Sequence, residues 1–195
     1  MKPVTINRKT AETDISLTLA RGTGKAEIQT GCGFLDHMLT LFARHSALDL
    51  AVTCRGDLEV DAHHTTEDVG ICLGQAILAL SGDKKGLARY GSMILPMDEA
   101  LILTAIDLSG RSTLCFEASI PAPKVGDFDT ELAEEFFLAL VREARLTLHV
   151  RQLAGTNSHH IIEGMFKSFA HSLKAALTED KTLGGAVLST KEVLG

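Results

Sequence analysis

Ile15, Leu17 and Leu19 alternate with Ser16 and Thr18, the period-two pattern of a half-buried strand. Gly22 and Gly24 punctuate residues 21–25 before a second short run at 26–29, so this stretch reads as a hairpin. The apolar positions of 34–42 fit a helix, 48–52 a strand, and Arg55-Gly56-Asp57 a turn. From Asp61 onward, Ile71, Leu73, Ile77 and Leu80 predict a long helix, closed by the polar, Gly-containing residues 81–86. The second half runs the same way. Strands are expected over 100–108 and 112–118, joined by Ser109-Gly110-Arg111, then a helix over 132–144 and a strand over 146–150. Asn157 opens a last helix through Ile161, Ile162, Met165, Phe166, Phe169, Leu173 and Leu177. Strand–strand–helix–strand–helix thus occurs twice.

The two copies keep register at their most polar point. The offset from His63 to His159 equals that from Glu67 to Glu163 and from Asp61 to Asn157. Asp61 and Asn157 each stand two residues before a histidine pair, where they would cap the helix. An internal duplication is the economical account of a shared register, and the repeat is longer than solenoid periods. The expected organisation is one catalytic domain, 1–195, with approximate halves 1–92 and 93–195.

Composition narrows the field of partners. A formal net charge of −6, no Trp and a single Tyr give neither the clustered positive field nor the stacking rings of a nucleic-acid surface. With 45% hydrophobic and 23% charged residues the chain reads as an ordinary globular domain. No apolar run has the length of a membrane span, and the first residues lack a signal-peptide core. Cys32, Cys54, Cys72 and Cys115 are widely spaced, without C-x-x-C, and are expected to be free thiols in the cytoplasm.

The chemistry sits in His63-His64-x-x-Glu67 and His159-His160-x-x-Glu163. On a helix His63 and Glu67 share a face about one turn apart and can chelate one ion from a rigid element. His64 points about 100° away and suits a second ion or another side of the site. Imidazole and carboxylate without thiolate favour manganese or a similar hexacoordinate divalent ion over structural zinc. A single such motif could be a capped helix start with an ordinary His–Glu pair; two register-matched copies, using four of eight histidines, argue for ligands. His37 and Glu135 hold comparable places in the two halves and could complete the sites. Lys167 lies one turn past Glu163 on the same face, which places a cation beside the motif, and Arg111 closes a Ser-Gly-Arg turn.

Six blocks carry a family resemblance: 33–38 (GFLDHM), 61–71 (DxHHTxEDxGI), Met97-Asp98-Glu99-Ala100, 107–111 (DLSGR), 157–163 (NxHHxxE) and Ser189-Thr190-Lys191. Together they closely resemble the imidazoleglycerol-phosphate dehydratases, in order, from about Lys9 to the C-terminus. The resemblance implies a hydro-lyase of histidine biosynthesis that dehydrates imidazole glycerol phosphate to imidazole acetol phosphate with two Mn2+ per active site and no redox cofactor. In that chemistry the metals hold the substrate ring as an imidazolate, which expels hydroxide from the adjoining carbon. It further implies a homo-oligomer, a cage of twenty-four subunits with metals at the interfaces, and a small phosphorylated imidazole as partner, with no nucleic acid and no membrane. The expected fold is α/β (α+β): two pseudo-symmetric halves, each a small mixed sheet with two helices, the helices packed between the sheets.

Carried over by position, the family pattern assigns metal binding to His37, His63, His64, Glu67, Glu135, His159, His160 and Glu163. Pseudo-symmetry groups His63, Glu67, Glu135 and His160 on one ion, and His159, Glu163, His37 and His64 on the other. Proton transfer falls to Glu12 and Glu163. Substrate contacts fall to Glu12, His37, His45, His63, His64, Glu67, Arg89, Arg111, His159, Lys167, Ser189, Thr190 and Lys191. Some positions depart from the family pattern. Glu135 stands where some members carry His, and Ser46 where Gly is common. Leu188 stands where Pro is usual, and Glu192 where Gly is usual, so the tail is expected to fold differently. A metal-dependent hydrolase releasing phosphate, and a metal-storing cage, are the alternative readings of the same ligands.

Overall fold

A computed structural model describes residues 2–191. The first half runs β1 (Val4–Lys9), β2 (Thr13–Arg21), β3 (Ala26–Gln29), α1 (Gly33–Ser46), β4 (Leu48–Gly56) and α2 (His63–Ser81). The second runs β5 (Tyr90–Met97), β6 (Ala100–Asp107), β7 (Thr113–Glu117), the two-residue strands β8 (Lys124–Val125) and β9 (Phe128–Asp129), α3 (Leu132–Ala144), β10 (Thr147–Ala154) and α4 (Ser158–Ala176). Each half builds a four-stranded sheet, ordered β1-β2-β4-β3 and β5-β6-β10-β7. In both, three strands are antiparallel and the fourth joins in parallel. The repeated topology is the expected one, with an additional edge strand in each half. β5 opens at Tyr90.

Two local expectations change. The hairpin over 15–29 is not formed: β3 pairs in parallel with β4, Ala26 opposite Leu50, while β2 pairs with β1 and β4. Asp49 on β4 anchors the connecting loop, its carboxylate accepting the backbone N–H groups of Thr23 (2.9 Å), Gly24 (3.0 Å) and Lys25 (2.9 Å). That anchor carries the loop across β4 to its far side. Arg55 and Gly56 are not a turn either. β4 continues through Gly56, opposite Thr13, and the turn follows, closed by Val60 N–H donating to the Asp57 carbonyl. A Cβ at Gly56 would lie 2.0 Å from Thr65 Oγ1, so a larger residue there requires the buried Thr65 side chain to shift.

One face of each sheet alternates buried residues into a helical layer, as in β2 (Thr13, Ile15, Leu17, Leu19) and β6 (Ala100, Ile102, Thr104, Ile106). Within the layer the halves cross over: α2 packs on α3, and α1 on α4. The helices therefore lie between the sheets, as expected. An aromatic cluster of Phe136, Phe137, Phe166 and Phe169 fills the second half, and Phe42 of α1 stacks on Phe169 with centroids 5.8 Å apart. The α2–α3 contact depends on glycine, since a Cβ at Gly74 would stand 2.5 Å from the Leu140 carbonyl oxygen. Gly74→Val is expected to force the helices apart at a cost of about 1–3 kcal/mol, the usual range for overpacking. Chemical denaturation of the metal-free protein would read this as a lower midpoint with an unchanged slope.

Candidate active site

Asn157 caps α4 as expected, its side chain accepting from His159 N–H (2.9 Å) and His160 N–H (3.3 Å). At α2 the cap position belongs to Ala62, one residue later than expected, and Asp61 accepts from His63 N–H at 2.7 Å. Either way each histidine pair occupies the first turn of its helix, rigidly placed.

The α1–α4 contact creates the central feature. His37 Nε2 lies 3.4 Å and His159 Nε2 3.1 Å from Glu163 Oε2. One donor atom from each of the three lies within 4.8 Å of the others, the only such group of three or more His, Cys, Asp or Glu among the described residues. Two imidazole nitrogens and a carboxylate oxygen, with no thiol, form a donor set that fits a borderline or hard divalent ion. Phe34 sets its ring edge against His159, centroids 5.2 Å apart.

Glu163 is buried, and its other oxygen is paired with Lys167 Nζ. Burial pushes the Glu163 carboxyl up, but the Lys167 ammonium, with His159 and His37, outweighs it and leaves the group below the usual carboxylate range. Further along the same contact His45 Nδ1 meets His171 Nε2 at 3.0 Å. Burial, with His171 and Lys167 nearby, lowers the His45 pKa. The stripe from Glu163 through Lys167 to His171 is a single face of α4 turned toward α1.

The second histidine of each pair faces elsewhere. His64 Nδ1 is 2.9 Å from Asp57 Oδ2, and its Nε2 is 3.7 Å from Glu12 Oε1 at the β1–β2 turn. His160 Nδ1 is 2.7 Å from Glu99 Oε2, and its Nε2 is 3.7 Å from Asp98 Oδ2 at the β5–β6 turn. Hydrogen bonding to Asp57 raises the His64 pKa, and bonding to Glu99 raises that of His160. In return Glu99 is held down at about 2 by His160 and by the N–H groups of Asn157 and Thr156.

Three of the four ligands expected on one ion thus meet within one chain, and His64 does not join them. The other expected set stays dispersed. Glu67 is 3.4 Å from Arg142, Glu135 is half-buried on α3, and His160 is held by Glu99. Among the phosphate candidates, Arg89 spends its fork on Asp107 (2.7 and 3.0 Å) and donates to the Leu188 carbonyl (2.6 Å). Arg111 is exposed in its turn, its N–H donating to Ser109 Oγ at 3.1 Å. Ser189, Thr190 and Lys191 follow Leu188, with Lys191 N–H donating to Ser189 Oγ. Glu192 lies outside the described residues. The sequence assigns no role to Asp57, Asp98 or Glu99; Asp98 and Glu99 stand only within one of the six family blocks. Ser46, in place of the common Gly, ends α1 by accepting Leu48 N–H at 3.2 Å.

Fold and cluster together define the class: an α/β enzyme of two topologically repeated halves, with an imidazole–carboxylate group able to hold a metal ion. A profile of the imidazoleglycerol-phosphate dehydratase family matches residues 30–173. Relatives of that name from Dinoroseobacter shibae (54% identical over 192 residues, 98% of both chains) and Acetivibrio thermocellus (55% over 190, 97% of both) span nearly the whole length. The structure of the dehydratase from Staphylococcus aureus superposes with a TM-score of 0.84 at 46% identity, covering 91% of this chain and 99% of that one. That from Pyrococcus furiosus also gives 0.84, at 38% identity, over 97% and 100%. The chain belongs to the imidazoleglycerol-phosphate dehydratase family. It is a lyase of histidine biosynthesis.

Proposed function

We propose that this chain dehydrates imidazole glycerol phosphate to imidazole acetol phosphate at a centre of two manganese ions, working in the cytoplasm. The observation that carries the metal reading is the convergence of His37, His159 and Glu163 within 4.8 Å. These three would hold one ion, with His64 as the fourth ligand; His63, Glu67, Glu135 and His160 would hold the other. When bound, the ions supply Lewis acidity toward the imidazole ring and a template for its orientation. Since neither set closes within one chain, we propose that neighbouring copies complete them, in a cage of twenty-four subunits with metals at the interfaces.

Dehydration needs one group to take a proton from carbon and another to deliver one to the departing hydroxyl. Glu12 and Glu163 are the pair for this work. Lys167 keeps Glu163 ionised, so its carboxylate can accept a proton, while Glu12 projects from a turn beside His64 Nε2. Arg111, Lys191, Ser189 and Thr190 supply cations and donors for the phosphate, joined by Lys167 and His45 on the α1–α4 stripe. Arg89 contributes by anchoring the tail through Leu188.

Metal-stripped protein is expected to make ketone only after manganese is restored, with about two ions bound per chain. His64→Ala should lower turnover on the order of a hundredfold or more, above the about 10- to 100-fold typical of losing an outer partner of a metal ligand. Release of inorganic phosphate would favour a hydrolase, and many ions per chain a storage cage. Parental turnover in His64→Ala would sink the proposed ligand set.

A further inference from the structure

We infer that Glu99 and Asp57 are positioning residues that fix the tautomer of His160 and His64, so that each ring presents an unprotonated Nε2 to its metal. The inference rests on reading those histidines as ligands. A neutral imidazole has one N–H and one lone pair, and a carboxylate can only accept. Nδ1 of His160, 2.7 Å from Glu99 Oε2, therefore carries the proton, as does Nδ1 of His64, 2.9 Å from Asp57 Oδ2. In the neutral ring each Nε2 keeps its lone pair. The nearest carboxylates on that side, Asp98 and Glu12, stand 3.7 Å away, beyond hydrogen-bond distance. The arrangement occurs in both halves although the two carboxylates come from different places: Glu99 from the β5–β6 turn, Asp57 from the end of β4.

The two carboxylates differ in freedom, and that difference makes the inference testable. Glu99 Oε1 already accepts from Asn157 N–H (2.8 Å) and Thr156 N–H (3.2 Å). In Glu99→Gln the amide oxygen must stay on those two donors, so the NH2 faces His160 Nδ1. The ring can then hydrogen-bond only as an acceptor at Nδ1, which moves its proton to Nε2 and blocks the metal-facing nitrogen. Asp57 has no other side-chain partner among the described residues. In Asp57→Asn the amide can turn its oxygen to His64 and preserve the tautomer.

The test is a titration of the full-length, chelator-stripped protein with manganese chloride, reading free aqua-Mn2+ by electron paramagnetic resonance, with circular dichroism of the metal-free forms as the folding check. Glu99→Gln is expected to weaken manganese binding at its site by about 100-fold, and Asp57→Asn by less than about 3-fold, against the 10- to 100-fold range for outer partners of metal ligands. His160→Ala should lose that site. If His160→Ala loses it while Glu99→Gln binds like the parent, the inference is overturned and the ligand reading stands. If His160→Ala binds like the parent, the ligand reading fails and takes the inference with it. Should Glu99→Gln not fold, Asp57→Ala must bind more weakly than Asp57→Asn; equal binding by those two would overturn the inference.

Discussion

Glu163→Gln is expected to lower turnover by about 10²- to 10⁴-fold, the span assigned to a lost proton-transferring group. The carboxylate sits where three elements of the site meet. One oxygen faces His37 and His159 at 3.4 and 3.1 Å, and the other is paired with Lys167. The amide keeps the shape but carries no charge, and its NH2 must face either the two imidazoles or the ammonium. In the first case a ligand atom is lost; in the second, two donors oppose each other in a half-buried setting. Lys167 has only 17% of its side chain exposed and would be left without its counter-ion. Initial rates of ketone formation, with bound manganese counted in the same sample, separate the two contributions. Full metal content with a hundredfold slower rate assigns the loss to proton transfer. Parental rate with parental metal would remove Glu163 from the site altogether.

Phe137→Ala is expected to destabilise the fold by about 3–5 kcal/mol, the range for deleting a large buried side chain. The ring is fully buried and meets Phe116, Phe136, Phe166 and Phe169, with centroids from 5.0 to 6.5 Å. Those partners belong to β7, α3 and α4 and are themselves locked by packing, so the cavity cannot collapse cheaply. Through Phe169 and Phe42 the loss reaches α1, which carries His37. The measurement is the urea midpoint of metal-free protein at fixed concentration, since assembly and metal both add apparent stability. A shift equivalent to less than 1 kcal/mol would show that the cluster does not hold the second half together.

Much of this molecule is legible along the chain. Helices over 132–144 and from Asn157 onward agree with α3 and α4 because their apolar positions recur every three or four residues and their ends carry clear signals. The edge strands β1 and β5 are not legible in the sequence. Each has one neighbour and alternates exposed with half-buried residues, a weak pattern that becomes a strand only once β2 and β6 lie beside it. The hairpin expected over 15–29 failed for a related reason. The loop between β2 and β3 is anchored by Asp49, which lies beyond residues 15–29.

The site divides in the same way. The histidine pairs and their glutamates stand in the sequence itself, because a helix converts a spacing of four residues into a shared face without outside help. Which groups meet across the molecule is another matter. His37 and Glu163 approach only because α1 packs on α4, Glu99 meets His160 far along the chain through the β5–β6 turn, and Asp57 meets nearby His64 because the turn after β4 folds back onto the start of α2. Local periodicity and capping chemistry therefore determined the elements, their repeated order and the motif that carries the chemistry. The pairing of strands, the crossing of helices between halves and the hydrogen bond that orients each second histidine were decided by tertiary packing. All but the Asp57–His64 bond join residues distant in sequence, and no local pattern encodes a distance between them.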